Sequence, residues 1–584
     1  MNNIDNLEAM RHSLAHILAA AVQELYPKVE FGIGPAIENG FYYDFANIKL
    51  SEADLPKIEK KMREIIVQDL PVEQGDWNKA NALKWAASQP FKKELVEDLV
   101  CEDPSAKSCS LTFYRIGNFT DLCAGPHLKS TSEVGAFKLT SIAGAYWRGD
   151  ETRAQMTRVY GIAFKTQQEL DDYTAMLAEA EKRDHRKLGA QLDLFTFSSD
   201  VGSGLPMFTP RGTILFDKLS ELSLSLREKI GHQRIRTPHI TKTDLYKLSG
   251  HWDKFGDELF MVKSQETSDQ FVMKPMSCPH HIQIYLSKPR SYRDLPVRLV
   301  EAAMVYRDEK KGELGGMSRV RAFTQDDSHI LCRKDQIKPE VDSLIKFIHQ
   351  LYGTLGMTDI RARLSYRDDG DGYLGDRELW NMAESQLKAL ADENHLDYYE
   401  AEGEAAFYGP KIDFMAKDAI GREFQVATVQ LDFNMPGRFG LEYTNEEGKK
   451  ETPVMLHHAA LGSVERFLSV FIEHTAGHFP FWCAPEQVRV LTIGETKEYA
   501  EKIETILAGI TLEQPLKHND LRYKIDSGKD NLSKKIKRAE ELKIPVLILV
   551  GPKDAEAEQV TIRTRDGEEK VALKDLSEWL KKQA

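Results

Sequence analysis

The sequence predicts a multidomain α+β protein, and three observations carry that expectation. The chain has 584 residues, more than one hydrophobic core ordinarily supports, so about three or four domains are expected. Its N-terminal part passes from a helical pattern to a glycine-punctuated stretch of strands and turns. Its C-terminal part alternates apolar strand-like runs with charged helical ones. With 41% hydrophobic and 29% charged residues the composition is that of a globular protein, neither disordered nor fibrous.

Taken in order, Leu7, Leu14, Ile17, Leu18 and Val22 recur at helical spacing, and FGIGPAIENGFYYDF then reads as strands and turns. Residues 1–185 are therefore expected to form an α+β unit that ends in a charged helix, Gln167 to Leu188. The Gly/Pro-rich VGSGLPMFTPRG follows and marks a boundary, which leaves 186–480 as the largest unit. Beyond Pro480, VRVLTIG, the helical run Tyr499 to Leu507, LRYKID, NLSKKIKRAEEL and IPVLILVG predict a parallel α/β domain over 481–584. No internal repeat or low-complexity tract interrupts this order.

Several function classes drop out. The six cysteines (Cys101, Cys109, Cys123, Cys278, Cys332, Cys483) are scattered without a C-x-x-C pair, which disfavours a disulfide framework or a zinc ribbon. The start MNNIDNLEAM lacks the marks of a secretory leader, and the apolar run Ile544 to Val550 is too short to span a bilayer, so a cytoplasmic protein without a membrane partner is expected. The net charge of −13 is unevenly placed: residues 481–584 hold 19 Lys+Arg against 19 Asp+Glu, so the whole excess falls on 1–480 and the C-terminal segment is least repelled by a phosphate backbone.

Three segments of the middle unit carry its chemistry. In VYRDEKKGELGGMSRVRAFTQDDSHI, Arg307 and Glu309 end a strand-like run, a Gly-rich turn follows, and Arg319, Phe323 and Asp327 recur at four-residue intervals. Two strands joined by a loop that bears guanidinium groups suit a triphosphate, because arginine offers paired donors to phosphate oxygens. An arginine-rich surface hairpin reads the same way. LHHAALGSVERF reads as an apolar helix with Glu465 and Arg466 near its start, Arg466 serving either a γ-phosphate or only solvent. In IRTPHI, Pro238 ends a strand after the helical stretch Leu215 to Lys229.

Together these segments resemble the three signature motifs of class II aminoacyl-tRNA synthetases. Pro238 matches the motif 1 proline, Arg307 and Glu309 the motif 2 arginine and acidic residue, Arg319, Phe323 and Asp327 its continuation, and Arg466 the motif 3 arginine. Ala460 stands where motif 3 more often has its first glycine, with Gly462 second. The resemblance implies an antiparallel-sheet catalytic core, ATP bound with Mg2+, and a homodimer joined near Pro238.

Cys278 in MKPMSCPHH, His329 and His457 flank these motifs. Each alone reads as a structural residue. One thiolate and two imidazoles nevertheless make a three-ligand set, which leaves a zinc ion one open position for substrate. The set is similar to the zinc site of threonyl-tRNA synthetases, one Zn2+ per chain, with His458 as a decoy neighbour of His457. The same resemblance implies a substrate pocket that includes Asp327, Tyr408 and Lys411 in FYGPKIDF, and Gln425 in EFQVATVQLDF. Ser277 and His280 depart from the more usual Asn and Gly, and His280 adds an alternative imidazole. HSLAH begins at His12, so the small ubiquitin-like domain that many members carry in front is expected to be absent.

In that first unit His12 and His16 lie four apart on a helical stretch and so share a face. DLCAGPHL supplies Asp121, Cys123 and His127. A zinc protease is excluded because Ser13 stands where H-E-x-x-H needs its glutamate. With Tyr43 in GFYYDF and with SIAGAYWRGD, these residues resemble the editing domain shared by threonyl- and alanyl-tRNA synthetases. In the threonyl branch this implies hydrolysis of a mischarged ester without metal, with Lys92 a further candidate. The whole resemblance implies activation of L-threonine by ATP, transfer to tRNA(Thr) and clearance of Ser-tRNA(Thr). It places anticodon recognition in 481–584, where Lys534, Lys535, Lys537 and Arg538 are expected to offer a basic helix face. Its rivals are a class II enzyme for another amino acid, such as alanine or proline, and a non-catalytic RNA-binding paralogue.

Overall fold

The computed structural model describes residues 3–99, 110–370, 372–513, 515–516 and 519–583; Cys101 and Cys109 lie outside them. The chain divides into two compact units, Met1–Ala178 and Glu179–Ala584.

In the first unit, α1 (Asn3–Leu25) buries Leu14, Ile17, Leu18 and Val22 completely, each worth roughly 1.5–3 kcal/mol of transfer free energy before ordering costs. It packs on Phe41, Tyr43 and Phe45 of β1 (Gly40–Ala46) and on Ile58, Met62 and Ile65 of α2 (Leu55–Val67). A side chain at Gly40 would meet the Gly161 carbonyl at 2.0 Å, so only glycine admits the neighbouring strand there. A smaller antiparallel sheet joins β2 (Val72–Asn78), β3 (Ser110–Ile116) and β4 (Phe119–Leu122), with α3 (Pro90–Asp98) nearby in the chain. β5 (Ala136–Tyr146) and β6 (Gln155–Phe164) complete the larger sheet, β6 lying between β1 and β5.

The expected charged helix is two helices. α4 (Gln167–Arg183) stops at Asp184, whose side chain accepts from Arg186 N and starts α5 (His185–Gln191). α6 (Pro210–Lys229) opens with Thr209 as its cap and Pro at its first turn.

The second unit is built on an eight-stranded sheet. Its strands are β7 (Gln233–Arg234), β8 (Val297–Tyr306), β9 (Ala322–Cys332), β10 (Ile360–Tyr366), β11 (Tyr398–Glu402), β12 (Lys411–Lys417), β13 (Glu423–Asp432) and β14 (Val454–Ser463). The spatial order is β7-β8-β9-β14-β13-β12-β10-β11, antiparallel from β8 to β10. α7 (Cys278–Leu286) precedes β8, α8 (Ile337–Leu355) follows β9, and α9 (Val464–Thr475) follows β14. Because strand side chains alternate, Ile330, Leu456, Val429, Ile412 and Leu364 share one face, where they join the core with Leu219, Leu344, Ile348 and Phe471. The opposite face is left for polar residues.

Two expectations are corrected here. LHHAALGS is not helix but the last strand of this sheet; the helix begins only at Val464, after Gly462 has turned the chain at φ +59°. The C-terminal sheet is mixed, not parallel. Its strands β15 (Val488–Thr492), β16 (Tyr523–Asp526) and β17 (Val546–Val550) run parallel, but β18 (Gln559–Thr564) and β19 (Gly567–Ala572) add an antiparallel hairpin in the order β16-β15-β17-β18-β19. No described helix is long and apolar enough to cross a membrane.

Candidate active sites

The strand register assembles the first site. His329 faces His457, His457 faces Gln430, Gln430 faces Lys411 and Lys411 faces Ser365, so one row of polar residues crosses five strands on the face away from the helices. Cys278, at the start of α7, completes a buried group with His329 and His457 whose donor atoms lie within 4.8 Å of one another. His458 has the opposite parity; its Nδ1 bonds the Thr428 carbonyl and its ring meets Phe347 of α8. His280 is buried beside Tyr246, with neither ring nitrogen bonded, and is not one of the group.

One assignment of the ring protons satisfies the hydrogen bonds of this group. His457 Nε2 donates to Asp432 Oδ2 at 2.9 Å, so its Nδ1 is a lone pair. His329 Nδ1 lies 2.8 Å from His281 Nδ1, and His281 Nε2 lies 3.6 Å from Glu301. With the His281 proton towards Glu301, His329 donates through Nδ1 and its Nε2 is also a lone pair. These two lone pairs face each other at 3.1 Å with the Cys278 thiol beside them. Two nitrogens on one tetrahedral zinc stand about 3.3 Å apart, given Zn–N of about 2.0–2.1 Å. The donor set and its outer carboxylates therefore fit a zinc ion. Glu301 is anchored in turn by Thr237, next to Pro238, through bonds of 2.7 and 2.8 Å.

Around the group, Asp327 is buried with Oδ1 3.8 Å from His329 Nε2, and burial holds its carboxyl above the usual range. The Tyr408 ring stacks on His457, centroids 4.5 Å apart, and its hydroxyl donates to Gln430. Lys411 pairs with the fully buried Asp413 at 2.7 Å, as does Arg363 at 2.9 Å.

Among the described residues neither the Arg307 nor the Arg466 side chain makes a hydrogen bond or an ion pair. Arg307 is part-buried, and desolvation lowers its guanidinium pKa, whereas Arg466 on α9 is exposed to solvent. Arg307 lies over the Phe323 ring at 5.3 Å and lines a recess of about 240 Å³, open to solvent, with His251 and Glu258. His251 Nε2 is 3.7 Å from Cys278 Sγ, which joins the recess to the cysteine–histidine group. A desolvated cation such as Arg307 without a partner is costly unless an anion arrives. Arg319 is half exposed and is held by Glu309 at 2.8 Å and Glu313 at 3.1 Å.

The second site lies in the first unit. Cys123 Sγ is 3.2 Å from both His12 Nε2 and His127 Nε2, and accepts from Gly125 N. Ser13 Oγ accepts from Leu128 N and reaches His127 Nδ1 at 3.2 Å, so its hydroxyl orients that ring. Asp121 takes the Tyr43 hydroxyl and the Lys92 ammonium, both at 2.5 Å, with His16 at 3.8 Å. Burial raises the Cys123 thiol to about 11 and pushes His16 and His127 far below the usual histidine range. At neutral pH this is a neutral thiol among neutral imidazoles, whose ring nitrogens can accept a hydrogen bond from water or a hydroxyl group. His12, His16, Cys123 and His127 have donor atoms within 4.8 Å of one another, a spacing that a metal also accepts.

Comparisons with known proteins bear on both units. The description "tRNA synthetase class II core domain (G, H, P, S and T)" matches residues 260–475, "Anticodon binding domain" 487–583, and "Threonyl and Alanyl tRNA synthetase second additional domain" 111–160. A threonine–tRNA ligase of Porphyromonas gingivalis is 44% identical over 571 residues, 96% of this chain and 85% of that protein. One of Gloeobacter violaceus is 46% identical over 573 residues, 96% of this chain and 89% of that protein. The chain belongs to the threonine–tRNA ligase family. A solved structure titled as the RNA binding domain of threonyl-tRNA synthetase from Cryptosporidium parvum is 37% identical, with a TM-score of 0.63 over 69% of this chain and 98% of that one.

Within this family frame, three placements go beyond the sequence reading. Gln425 donates to Asp413 at 2.9 Å, whereas the glutamine that meets Tyr408 is Gln430, five residues along the same strand; only the register of β13 against β12 and β14 reveals this. His251 carries no motif spacing, and only the fold brings it to Cys278. Lys535 is not on a basic helix face: it is buried, and its ammonium donates to the carbonyls of Thr492 and Asp526. On the same helix Lys534 pairs with Asp530, and Arg538 with Asp526 and Asp530.

Proposed function

We propose that this chain activates L-threonine with ATP and esterifies it onto tRNA(Thr), and that its first unit hydrolyses mischarged Ser-tRNA(Thr). The observation that carries the reading is the part-buried Arg307 guanidinium, without a polar partner among the described residues, in the unit that holds the Cys278–His329–His457 group and the exposed Arg466 of α9. Arg307 takes the α-phosphate and Arg466 the γ-phosphate, while Glu309 holds Arg319 in the loop between β8 and β9 until ATP with its Mg2+ arrives. Cys278 Sγ and one nitrogen each of His329 and His457 would hold a zinc ion, which would supply a Lewis acid for the amino and hydroxyl groups of threonine. Asp327 offers its carboxylate to the ammonium group, and Tyr408 with Gln430 closes the side chain's pocket. Lys411 and Gln425 support it through Asp413. The residues then act by positioning and by neutralising charge that develops on phosphate.

Serine keeps the hydroxyl and differs from threonine by one methyl, worth about 1–3 kcal/mol, so a second sieve is needed. We assign it to His12, His16, Cys123 and His127, with Asp121 and Lys92 holding the site's charge, in residues 1–185. Residues 186–480 form the catalytic domain and 481–584 the anticodon-binding domain. Exposed Ile240 and Met261, on the small sheet beside Pro238, support a homodimer through that region. The four described cysteines are all unpaired, which suits the reducing cytoplasm.

An ATP–pyrophosphate exchange panel over the amino acids tests the reading. Threonine is expected to drive exchange well above the others. Exchange driven by alanine or proline would favour another class II enzyme, and none at all a non-catalytic paralogue.

A further inference from the structure

The loop from Arg307 to Arg321 carries two of the motif arginines, Arg307 and Arg319, and its tip is a tight turn. Ser318 N bonds Gly315 O at 3.0 Å, and Gly316 sits at φ +59°. That tip is gripped from outside the motifs. Met317 N donates to His185 Nε2 at 3.1 Å, and a side chain at Gly316 would approach the same nitrogen to 2.5 Å. Since Nε2 accepts, the ring proton is on Nδ1, which donates to Glu473 Oε1 at 2.7 Å. The His185 backbone N–H donates to the same oxygen at 3.1 Å. Glu473 lies in α9, two turns beyond Arg466, and its other oxygen pairs with Arg422 at 2.6 Å.

We infer that His185 is a positioning residue for ATP, because its imidazole locks the tip of the Arg307–Arg319 loop to the helix that carries Arg466. A neutral imidazole in a fixed tautomer accepts on one edge and donates on the other, so it joins a backbone N–H to a carboxylate, as no apolar side chain can. The other polar tie between α9 and this hairpin, Glu465 accepting from Thr324 N, holds the strand and not the loop tip, and the core contact of Met317, fully buried, fixes depth but not orientation. Asp184, His185 and Glu473 also have donor atoms within 4.8 Å of one another. They are no metal site, because Arg186 already pairs with Asp184, Arg422 with Glu473, and both ring nitrogens of His185 are bonded.

The inference rests on the proposed activity, and the test separates the two. In the full-length enzyme, threonine-dependent exchange is measured for the parent, His185→Phe and His185→Gln, varying ATP and threonine separately, with amide hydrogen exchange of the 315–319 segment. Phenylalanine keeps the packing and loses both hydrogen bonds; glutamine can keep one acceptor and one donor. The KM for ATP is expected to rise about tenfold in His185→Phe with that for threonine within about twofold, the 315–319 amides to exchange faster, and His185→Gln to recover much of the loss. If His185→Phe does not fold, His185→Asn, too short to reach both partners, replaces it. Unchanged ATP dependence, or equal losses for ATP and threonine without rescue by glutamine, would overturn the inference. A parent without threonine-dependent exchange would instead overturn the proposed function.

Discussion

Arg227 of α6 and Asp326 of β9 form an ion pair out of reach of solvent, and through it all three motif regions meet. Asp326 also accepts from Ser223 Oγ on α6 at 3.0 Å and from the backbone N–H groups of Ala460 and Leu461 on β14 at 3.2 and 3.0 Å. One carboxylate therefore sets the helix, the motif 2 strand and the motif 3 strand relative to one another. Asp326→Asn leaves the Arg227 charge buried without its counterion. A loss of about 3–5 kcal/mol is expected, read as a lower unfolding midpoint in calorimetry, while Arg227→Met with Asp326→Leu should recover part of it. A midpoint unchanged in Asp326→Asn would show that the pair contributes nothing.

Glu465 gives a pH dependence. Its carboxyl is buried at the start of α9, accepts from Thr324 N at 2.8 and 2.9 Å, and burial raises its pKa to about 7. The folded value lies above the ordinary 4.5, so this group's contribution to stability is complete below about pH 4.5 and is lost as pH rises through about 7. The thermal unfolding midpoint is expected to fall more steeply between pH 5 and pH 7 for the parent than for Glu465→Gln. Parallel profiles would refute the assignment.

Much of this was legible in the sequence, for physical reasons. The apolar run of α1 from Leu14 to Val22 marks a buried helix, and Arg307, Arg319 and Arg466 point to chemistry only together, at the spacing of the three motifs. What hid was set by tertiary pairing. LHHAALGS is apolar on both faces because β14 is a central strand, and a continuous apolar run does not distinguish a buried strand from a helix. Gln430 and Gln425 are alike in composition and differ only by strand register. Lys535 reads as surface charge, yet its long side chain caps the carbonyls of Thr492 and Asp526 inside the C-terminal domain. His185 stands in a charged helical run and acquires its partners only when the chain breaks at Asp184.

The hydrolytic site should be separable from the synthetic one, since His12, His16, Cys123 and His127 belong to the first unit and share no residue with the Cys278 group. His12→Ala is expected to keep threonine activation within about twofold of the parent. Deacylation of preformed Ser-tRNA(Thr) should fall by about 10²-fold or more, the scale on which positioned acid–base groups act. Equal deacylation rates would make these four residues a structural cluster.

The central claim is that one buried group of Cys278, His329 and His457 holds zinc and through it selects threonine. Cys278→Ala keeps the fold of α7 and removes the thiol alone. Metal content by elemental analysis and threonine-dependent ATP–pyrophosphate exchange are measured on the same preparation, parent beside variant. About one zinc per chain with exchange in the parent, and loss of both together in Cys278→Ala, is the predicted result; a variant that keeps full zinc, or loses zinc and still activates threonine at the parent rate, would contradict it.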